Sequence, residues 1–494
     1  MQLILSPAQM RALEERAFSL GVSPLLLMEE AARGAFCVLE DKLGGAKGKS
    51  ILFLIGPGNN GGDGLAMARL ARLAGAKAQV LLAEEPRSRE AVINLGHARA
   101  LGLPVAVWQP ENPRIDRPQA IVDAVFGTGF HGGLSARLLA LAQWVNACQL
   151  PVLAVDSPSG LEGTAGRVEN SAIKATWTAA LGHVKTGLCL SPRPELIGEV
   201  VTVPLGIPEA AYEVFEEAGE KPLTALEEED LAALLPRRPA NLHKGQAGRV
   251  LLYAGSRGMA GAAAMAAKAA LRAGAGLVYI ACVPEIIPIL QTLVPNAICL
   301  EIDQALSSPP AHDAFAAGCG LGQGSEAWRS LSLLYQADVP SVLDADALNL
   351  LAVQPLAIGN STILTPHPGE AARLLGMSVP EVLHDPIAAA SAIHARYGGT
   401  VVLKGAVSVI HDGVHTALNL VGSPALAKGG SGDALTGILA ALLAASPGAA
   451  PFEAARAACL WLGLAGQQAQ RRFGERSALT GEVIDCLPGP LHGH

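Results

Sequence analysis

Short apolar runs alternate along this chain with longer stretches rich in alanine and leucine. The stretch 65–75 places Leu65, Ala68 and Leu73 near one face of a helix. Strands that alternate with helices predict layers of α and β structure around a mainly parallel sheet. Four runs in the first half are predicted to be buried strands: 50–56, 78–83, 120–127 and 151–158.

The stretch 209–239 interrupts this alternation, because it is acidic and then turns basic and proline-containing. It predicts a linker that leads into a short helix, with a domain boundary near 215–225. The alternation starts again at 248–256, and no repeat relates the two halves. The sequence therefore predicts two α/β domains, residues 1–215 and 216–494.

Composition and charge narrow the classes of function. Half of the residues are hydrophobic and 16% are charged, below the ~25% that is typical of soluble domains. A net charge of -8 gives no reason to expect nucleic acid as a partner. The eight cysteines form no CxxC pair, which argues against a zinc ribbon or a thioredoxin-like motif and fits a reducing compartment.

The sequence gives no sign of membrane targeting. The first residues lack the basic and apolar segments of a signal peptide, and Ser6 before Pro7 predicts the start of a helix instead. The longest apolar run, 439–445, is far shorter than the ~20 residues that span a bilayer. We expect a cytoplasmic protein with no membrane partner.

The sequence GPGNNGGDG, residues 56–64, lies between a predicted strand and a predicted helix. Backbone N–H groups at such a position hold anions, but no Gly-Lys-Ser/Thr follows, so it is not a Walker A loop. Asp63 would repel a phosphate and is better placed to contact a sugar hydroxyl or to cap the helix. The asparagine oxygens suit a weakly charged cation or an amide-bearing ligand.

Two further strand ends carry polar residues. Asp123 ends one predicted strand before a second glycine-rich loop, and Asp156 ends another, with Ser159 beyond it. Ligands bind outside the carboxyl ends of parallel strands, so these residues and Asn60 are predicted to converge there. For either aspartate alone, capping of the following helix or turn is an equally good interpretation.

GPGNNGGDG, DAVFGTG and VDSPSG together resemble the epimerase domain of the NAD(P)H-hydrate repair enzymes, over roughly residues 1–210. The resemblance implies a Rossmann-like three-layer αβα fold, a potassium ion held by Asn60, Asp123 and Ser159, and Asp156 as the acid/base group. Ser157 stands where that family usually has an apolar residue. The substrate-binding residues it implies are Asn59, Asn60, Gly61, Gly62, Asp63, Gly127, Thr128, Gly129, Phe130, His131, Gly132, Gly133 and Asp156.

The second half contains a glycine-rich turn, KGGSGDALTG at 428–437, that leads into an apolar helix. N–H groups at the start of a helix stabilise charge on a phosphoryl group, and Asp433 in the same turn is placed to accept a proton. An ordinary helix cap is the alternative interpretation of Asp433.

The ordered motifs LDADAL, LTPHPGE, LKGAVSVI and ALAKGGSGD resemble the dehydratase partner in the same repair system, over roughly residues 225–494. The resemblance implies a ribokinase-like αβα fold with Asp433 as a catalytic group. Cys319 and Ser408 replace the usual proline and threonine. Substrate contacts are implied for Gly320, His367 and Asp433, and nucleotide contacts for Lys404, Gly405, Ala406, Val407, Ser408 and Gly432.

The resemblance implies a repair reaction on hydrated NADH or NADPH. The ring hydroxyl is phosphorylated from a nucleotide and then leaves as phosphate, while the epimerase supplies the correct epimer. Magnesium is expected with ADP or ATP, and the residues leave the choice of nucleotide open. We expect a homo-oligomer whose other partners are only small molecules.

Two other functions share some of these signals. A ribokinase-like small-molecule kinase with an N-terminal nucleotide-sensing domain would carry the same GGSGD motif. Such a kinase would release a stable phosphorylated product, and its sensor would catalyse no epimer exchange. A dinucleotide oxidoreductase is disfavoured, because 56–64 is not in the GxGxxG frame and no acidic residue clearly follows ~20 residues on.

Overall fold

The computed structural model describes residues 2–110, 117–235, 238–354, 356–445, 448 and 450–487. The chain divides into two compact units, the first unit (Leu3–Pro222) and the second unit (Leu223–His494), with Gln2 grouped with the second. This division lies within the stretch 215–225. Within the described residues, no helix is long and apolar enough to cross a membrane.

The first unit alternates strands and helices as the apolar pattern predicts. Its strands are β1 (Gln2–Leu5), β2 (Ser50–Ile55), β3 (Lys77–Leu82), β4 (Val105–Val107), β5 (Ala120–Ala124), β6 (Val152–Val155), β7 (Trp177–Leu181), β8 (Val184–Lys185) and β9 (Glu199–Val203). Its α-helices are α1 (Pro7–Ser19), α2 (Pro24–Leu43), α3 (Asn59–Leu73), α4 (Arg89–Ala100), α5 (Ala136–Ala147), α6 (Thr186–Leu190) and α7 (Glu213–Glu217).

Seven of these strands form one parallel sheet in the order β4-β3-β2-β5-β6-β7-β9. Apolar side chains from the two faces of the sheet form separate buried clusters with the helices that cover them. The strand order reverses between β2 and β5, so their carboxyl ends border a crevice in which open α/β sheets bind ligands. Residues after β2, β5 and β6 therefore reach one site.

Helix α3 begins earlier than the sequence predicts. Residues 59–64 were expected in a loop before a helix at 65–75, but the helix runs from Asn59 to Leu73. A Cβ on Gly61 would stand 2.1 Å from the Gly56 carbonyl oxygen, and one on Gly64 would stand 2.4 Å from the Ala124 Cβ. These glycines therefore permit close packing of α3 on the sheet, which outweighs their poor helix propensity.

The predicted helical face is only partly correct. Leu65 and Ala68 are fully buried, whereas Leu73 is 65% exposed at the last residue of α3. The predicted start of α1 is confirmed, because the Ser6 hydroxyl accepts from the Gln9 N–H and Pro7 is the first helical residue.

The second unit contains longer helices around a second sheet. Its strands are β10 (Leu223–Ala225), β11 (Arg249–Tyr253), β12 (Leu277–Cys282), β13 (Ile298–Glu301), β14 (Ala314–Ala317), β15 (Ser341–Leu343), β16 (Thr362–Leu364), β17 (Thr400–Leu403), β18 (Ser408–His411) and β19 (Thr416–Asn419). Its α-helices are α8 (Leu231–Leu234), α9 (Ala260–Arg272), α10 (Ile287–Leu293), α11 (Ile302–Ser307), α12 (Ser325–Leu334), α13 (Ala345–Val353), α14 (Pro368–Leu375), α15 (Val379–His384), α16 (Pro386–Tyr397), α17 (Ser431–Ala445), α18 (Pro451–Phe473) and α19 (Thr480–Cys486).

The strands β13-β12-β11-β14-β15-β16-β17 are parallel, and β18 then runs antiparallel to both β17 and β19. The apolar helix α17 packs closely on α9, where a Cβ on Gly437 would stand 2.1 Å from the Ala266 carbonyl oxygen. This packing fixes the first turn of α17, which carries Gly432 and Asp433, beside the carboxyl ends of the parallel strands.

Candidate active sites

Two strand ends in the first unit meet at a buried, hydrogen-bonded pair. The Ser159 hydroxyl donates to the carboxylate of the buried Asp123 over 2.6 Å, and the Ser159 N–H donates to it over 2.8 Å. The hydroxyl oxygen accepts from the Phe126 N–H over 2.9 Å. Burial raises the pKa of Asp123 to about 6, despite the hydrogen bonds that lower it.

Asn60, at the start of α3, faces the segment that follows β5. Its side-chain oxygen and nitrogen are buried and have no hydrogen-bond partner among the described residues. Its Cγ is 3.4 Å from the place of a Cβ on Gly127, so the amide faces the segment that follows β5. Buried polar atoms without a partner are costly, and this amide is therefore suited to contact a bound ion or ligand.

Asp156 follows β6 and is held on both carboxylate oxygens. Its Oδ2 accepts from the N–H and the hydroxyl of Thr128 over 3.2 Å and 3.1 Å. Its Oδ1 accepts from the ammonium group of the buried Lys185, which also donates to the Leu181 carbonyl over 2.6 Å. A φ of 67° at Asp156 is strained for a non-glycine residue, and such strain persists where the surrounding contacts impose it.

The side chains of Asn60, Thr128, Asp156 and Lys185 border a cavity of about 680 Å³ in the first unit. The predicted substrate-binding residues that line it are Asn59, Asn60, Asp63, Gly127, Thr128, Gly129, Phe130, His131 and Asp156. Four predicted residues are not among its described lining residues. Gly61 and Gly62 pack inside α3, while Gly132 and Gly133 lie beside Glu169 and Asn170.

The sequence motifs did not reveal three charged residues that line this cavity: Arg11 and Glu14 of α1, and Lys185. Burial raises the pKa of Glu14 to about 7, and burial also raises the pKa of Asp63 well above its usual value. Lys185 offered one signal in the sequence, since it is a lysine that closely follows the apolar run of β7. In the structure it is almost fully buried.

A second carboxylate–lysine pair lies in the second unit. The Lys404 ammonium donates to the Asp344 carboxylate over 2.6 Å, and the Thr436 hydroxyl donates to its other oxygen over 2.9 Å. Burial raises the pKa of Asp344, but the charge and hydrogen bond of Lys404 outweigh burial and hold that pKa below its usual value. Glu370 lies 4.0 Å from the same ammonium.

Asp433 and Gly320 are brought to this pair by different elements. Asp433 lies in the first turn of α17, and burial raises its pKa to about 6, against a hydrogen bond from the Cys319 thiol that lowers it. Gly320 follows Cys319 with a φ of 59°, and a Cβ there would stand 2.8 Å from the Met259 Cβ. The backbone at this point is therefore restricted to glycine by both conformation and space.

His367 has a structural role in addition to the predicted contact. It caps α14, because its Nδ1 accepts from the N–H of Gly369 over 2.9 Å, while its own N–H donates to Glu370 over 2.8 Å. Burial and the nearby Lys404 lower the pKa of His367. The ring is thus neutral near pH 7, with its proton on Nε2, and half of the side chain is exposed.

The predicted nucleotide-binding residues lie on both sides of Lys404. Gly405, Ala406 and Ser408 line a cavity of about 610 Å³ together with residues of the 419–427 segment. Lys404, Val407 and Gly432 are not among the described lining residues. A Cβ on Gly432 would stand 3.3 Å from the Lys404 Nζ, so the helix start lies directly beside the ammonium.

Two family models match the chain. One is described as NAD(P)H-hydrate dehydratase and matches residues 250–488, and the other is described as YjeF-related protein N-terminus and matches residues 25–187. The first therefore covers nearly all of β11, the strands β12 to β19 and α17, and the second covers the strand ends that hold Asn60, Asp123 and Asp156.

Relatives match over the full length. The bifunctional NAD(P)H-hydrate repair enzyme of Coxiella burnetii is 37% identical over 99% of both chains, and that of Escherichia coli K12 is 36% identical over 97% of this chain and 91% of its own.

Solved structures support the fold of one half. The ADP/ATP-dependent NAD(P)H-hydrate dehydratase of Bacillus subtilis, co-crystallized with ATP/Mg²⁺, is 33% identical with a TM-score of 0.51, covering 55% of this chain and 98% of its own. A ribokinase-like superfamily protein from Enterococcus faecalis is 25% identical with a TM-score of 0.50, covering 54% and 94%. The chain belongs to the family of bifunctional NAD(P)H-hydrate repair enzymes, with an epimerase and an ADP-dependent dehydratase in one polypeptide.

Proposed function

We propose that the cavity of the first unit exchanges the two epimers of the hydrated dihydronicotinamide, with Asp156 as the proton acceptor. The observation that carries this assignment is the fixation of Asp156 by Thr128 and Lys185 at the cavity wall. Lys185 and Thr128 hold the carboxylate at the cavity wall, where it can accept a proton from a bound substrate. The hydroxyl on the ring carbon next to the nitrogen supplies that proton.

A potassium ion fits the residues beside this cavity. The Asn60 amide has no partner among the described residues, and no described lysine or arginine pairs with the buried Asp123 carboxylate. Asn60, Asp123 and Ser159 offer oxygen atoms, which a hard, weakly charged cation prefers. When bound, potassium would neutralise Asp123 and hold the segment 126–129 in place for substrate.

In the second unit, Asp433 is assigned as the group that accepts the hydroxyl proton of the substrate during phosphoryl transfer. The phosphoryl group of the nucleotide joins the hydroxyl oxygen, and the proton passes to Asp433. Phosphate then leaves with the electron pair of the C–O bond, the neighbouring ring carbon loses a proton, and the ring double bond returns. Lys404 and the N–H groups at the start of α17 stabilise the charge that develops on the phosphate.

The nucleotide is placed in the cavity bordered by Gly405, Ala406 and Ser408. Lys404 directly precedes Gly405 in the chain, and its ammonium lies beside Gly432, the residue before Asp433 at the start of α17. ADP or ATP with Mg²⁺ is the ligand proposed here, and Mg²⁺ would neutralise the phosphates when bound. The residues at this site give no preference between NADH and NADPH hydrates.

The test is recovery of the dihydronicotinamide absorbance from a mixture of both epimers, with ADP or ATP supplied in parallel reactions. The proposed function predicts recovery of all the material. Recovery that stops near half would contradict the epimerase assignment, and a stable phosphorylated product without absorbance would support a simple kinase instead.

A further inference from the structure

The epimerase cavity contains more carboxyl groups than cations. Glu14, Asp63 and Asp156 all line it, and the buried Lys185 contacts only Asp156 among the three. The remaining cation on its wall, Arg11, is exposed to solvent. Ionisation of every carboxyl would leave excess negative charge in a partly desolvated site, so at least one of them keeps its proton.

The structure indicates which carboxyls hold protons. No hydrogen bond or ion pair joins the carboxyl of Glu14 or of Asp63 to another described residue, whereas Asp156 has partners on both oxygens. Burial raises the pKa of Glu14 to about 7, with the Lys185 charge opposing that rise, and burial raises the pKa of Asp63 well above its usual value. Glu14 therefore exchanges its proton near neutral pH, while Asp63 keeps its own.

We propose that Glu14 is a catalytic acid of the epimerase, which delivers a proton to the ring nitrogen while Asp156 takes the proton of the ring hydroxyl. The inference rests on the proposed function of this cavity. It goes beyond that function by assigning the second proton-transfer group. Helix α1 brings Glu14 to the cavity wall, where the charges of Lys185 and Arg11 act on it.

The step balances without an added reactant. Asp156 accepts the hydroxyl proton, a C=O bond forms, and the bond between that carbon and the ring nitrogen breaks. The electron pair of the broken bond goes to the nitrogen, which receives the Glu14 proton, giving an open-chain aldehyde and an N–H group. Rotation of the aldehyde and the reverse proton transfers close the ring on the other face and restore both carboxyl groups.

Glu14 suits this role better than Asp63 does. An acid that both donates and recovers its proton works best when its affinity for protons matches the working pH. Asp63 lies inside α3 and is only 7% exposed, so its proton is held too tightly. Glu14 lies outside residues 25–187, the part that matches the family model, which explains why motifs did not reveal it.

The experiment uses the full-length protein and measures epimer exchange by chromatography of the separated hydrates. Glu14→Gln is expected to lower kcat for exchange by about 100-fold or more, with KM changed little. In the wild type, exchange falls as pH rises above about 7, because Glu14 loses its proton. Glu14→Asp is expected to keep part of the rate together with this decline. The charged groups that influence the proton affinity of Glu14, and so the pH dependence of exchange, are Lys185, Asp156, Arg11, Glu15 and Asp63.

Glu85→Gln is the matched control, because Glu85 is an exposed carboxylate of the first unit that is not among the lining residues of the cavity, and it is expected to keep the wild-type rate. Thermal unfolding of the full-length protein, compared with the wild type, shows whether the first unit of each variant remains folded. Exchange by Glu14→Gln within threefold of the wild type, or a large loss in Asp63→Asn alone, would overturn the assignment of Glu14. Wild-type exchange no faster than the uncatalysed reaction would instead overturn the proposed epimerase, and this inference with it.

Discussion

The two units each pair a strand-end carboxylate with a lysine, but they bury opposite partners. In the first unit the Lys185 side chain is 2% exposed and that of Asp156 is 13% exposed. In the second unit the Asp344 side chain is 2% exposed and that of Lys404 is 20% exposed. The buried member of each pair holds the other one in place, so the more exposed group is a carboxylate in the first unit and an ammonium in the second.

The largest expected effect concerns the exposed carboxylate of the first pair. Asp156→Asn keeps the side-chain shape but removes the proton acceptor, and exchange of the two epimers is expected to fall by about 10³-fold. Dehydration of the correct epimer by the second unit should stay at the wild-type rate, and thermal unfolding shows whether the first unit remains folded. Unchanged exchange in this variant would favour the nucleotide-sensor interpretation of the first unit.

A second prediction addresses the exposed lysine of the other pair. Lys404→Met is expected to lower dehydration by about 100-fold through loss of transition-state charge stabilisation. It also leaves Asp344 buried without its cation, at a cost of about 3–5 kcal/mol in the free energy of unfolding. The double variant Asp344→Asn with Lys404→Met should recover much of that stability but not the activity, as thermal unfolding and absorbance assays would show. Recovery of activity would assign Lys404 a purely structural role.

A third prediction concerns Asp123, a buried carboxylate that pairs with no described lysine or arginine. If potassium serves as its cation, 100-fold excess of potassium over its dissociation constant should stabilise the folded protein by about 2.7 kcal/mol. Thermal unfolding in potassium against a bulky organic cation measures this difference, and Asp123→Asn should abolish it. Equal stability in both cations would argue against the site.

The smallest expected effect is on the pH dependence of dehydration. Burial raises the pKa of Asp433 to about 6, so its proton-accepting form is lost as pH falls through that value. Between pH 7 and pH 5 the ionised fraction drops roughly tenfold, and dehydration of the correct epimer should fall with it. A dehydration rate independent of pH in this range would exclude Asp433 as the base.

The apolar pattern predicted the strands better than the helix starts. The runs 50–56, 78–83 and 120–127 contain β2, β3 and β5 almost entirely, because buried parallel strands must be apolar on both faces. The glycines of 56–64 were expected in a loop, yet most of them lie in α3. Single-residue propensity failed there because the contact with Ala124 and Gly56 exists only after the sheet has formed.

The sequence predicted the candidate sites only in part, as it did the secondary structure. Motifs pointed to Asp156, Asp433 and most of the residues that line the first cavity, but not to Lys185 or Asp344 as their charged neighbours. No local pattern joins these neighbours, since Lys185 is 29 residues from Asp156 and Lys404 is 60 residues from Asp344. Pairing across such separations depends on which strands lie side by side.

The sequence by itself determined the two α/β units and the polar residues that end their strands, because these follow from local hydrophobic pattern and residue type. The tertiary structure alone decided which side chains meet at each site and how deeply they are buried. Burial raises the pKa of Glu14 and of Asp433, and burial exists only once distant strands and helices have packed together.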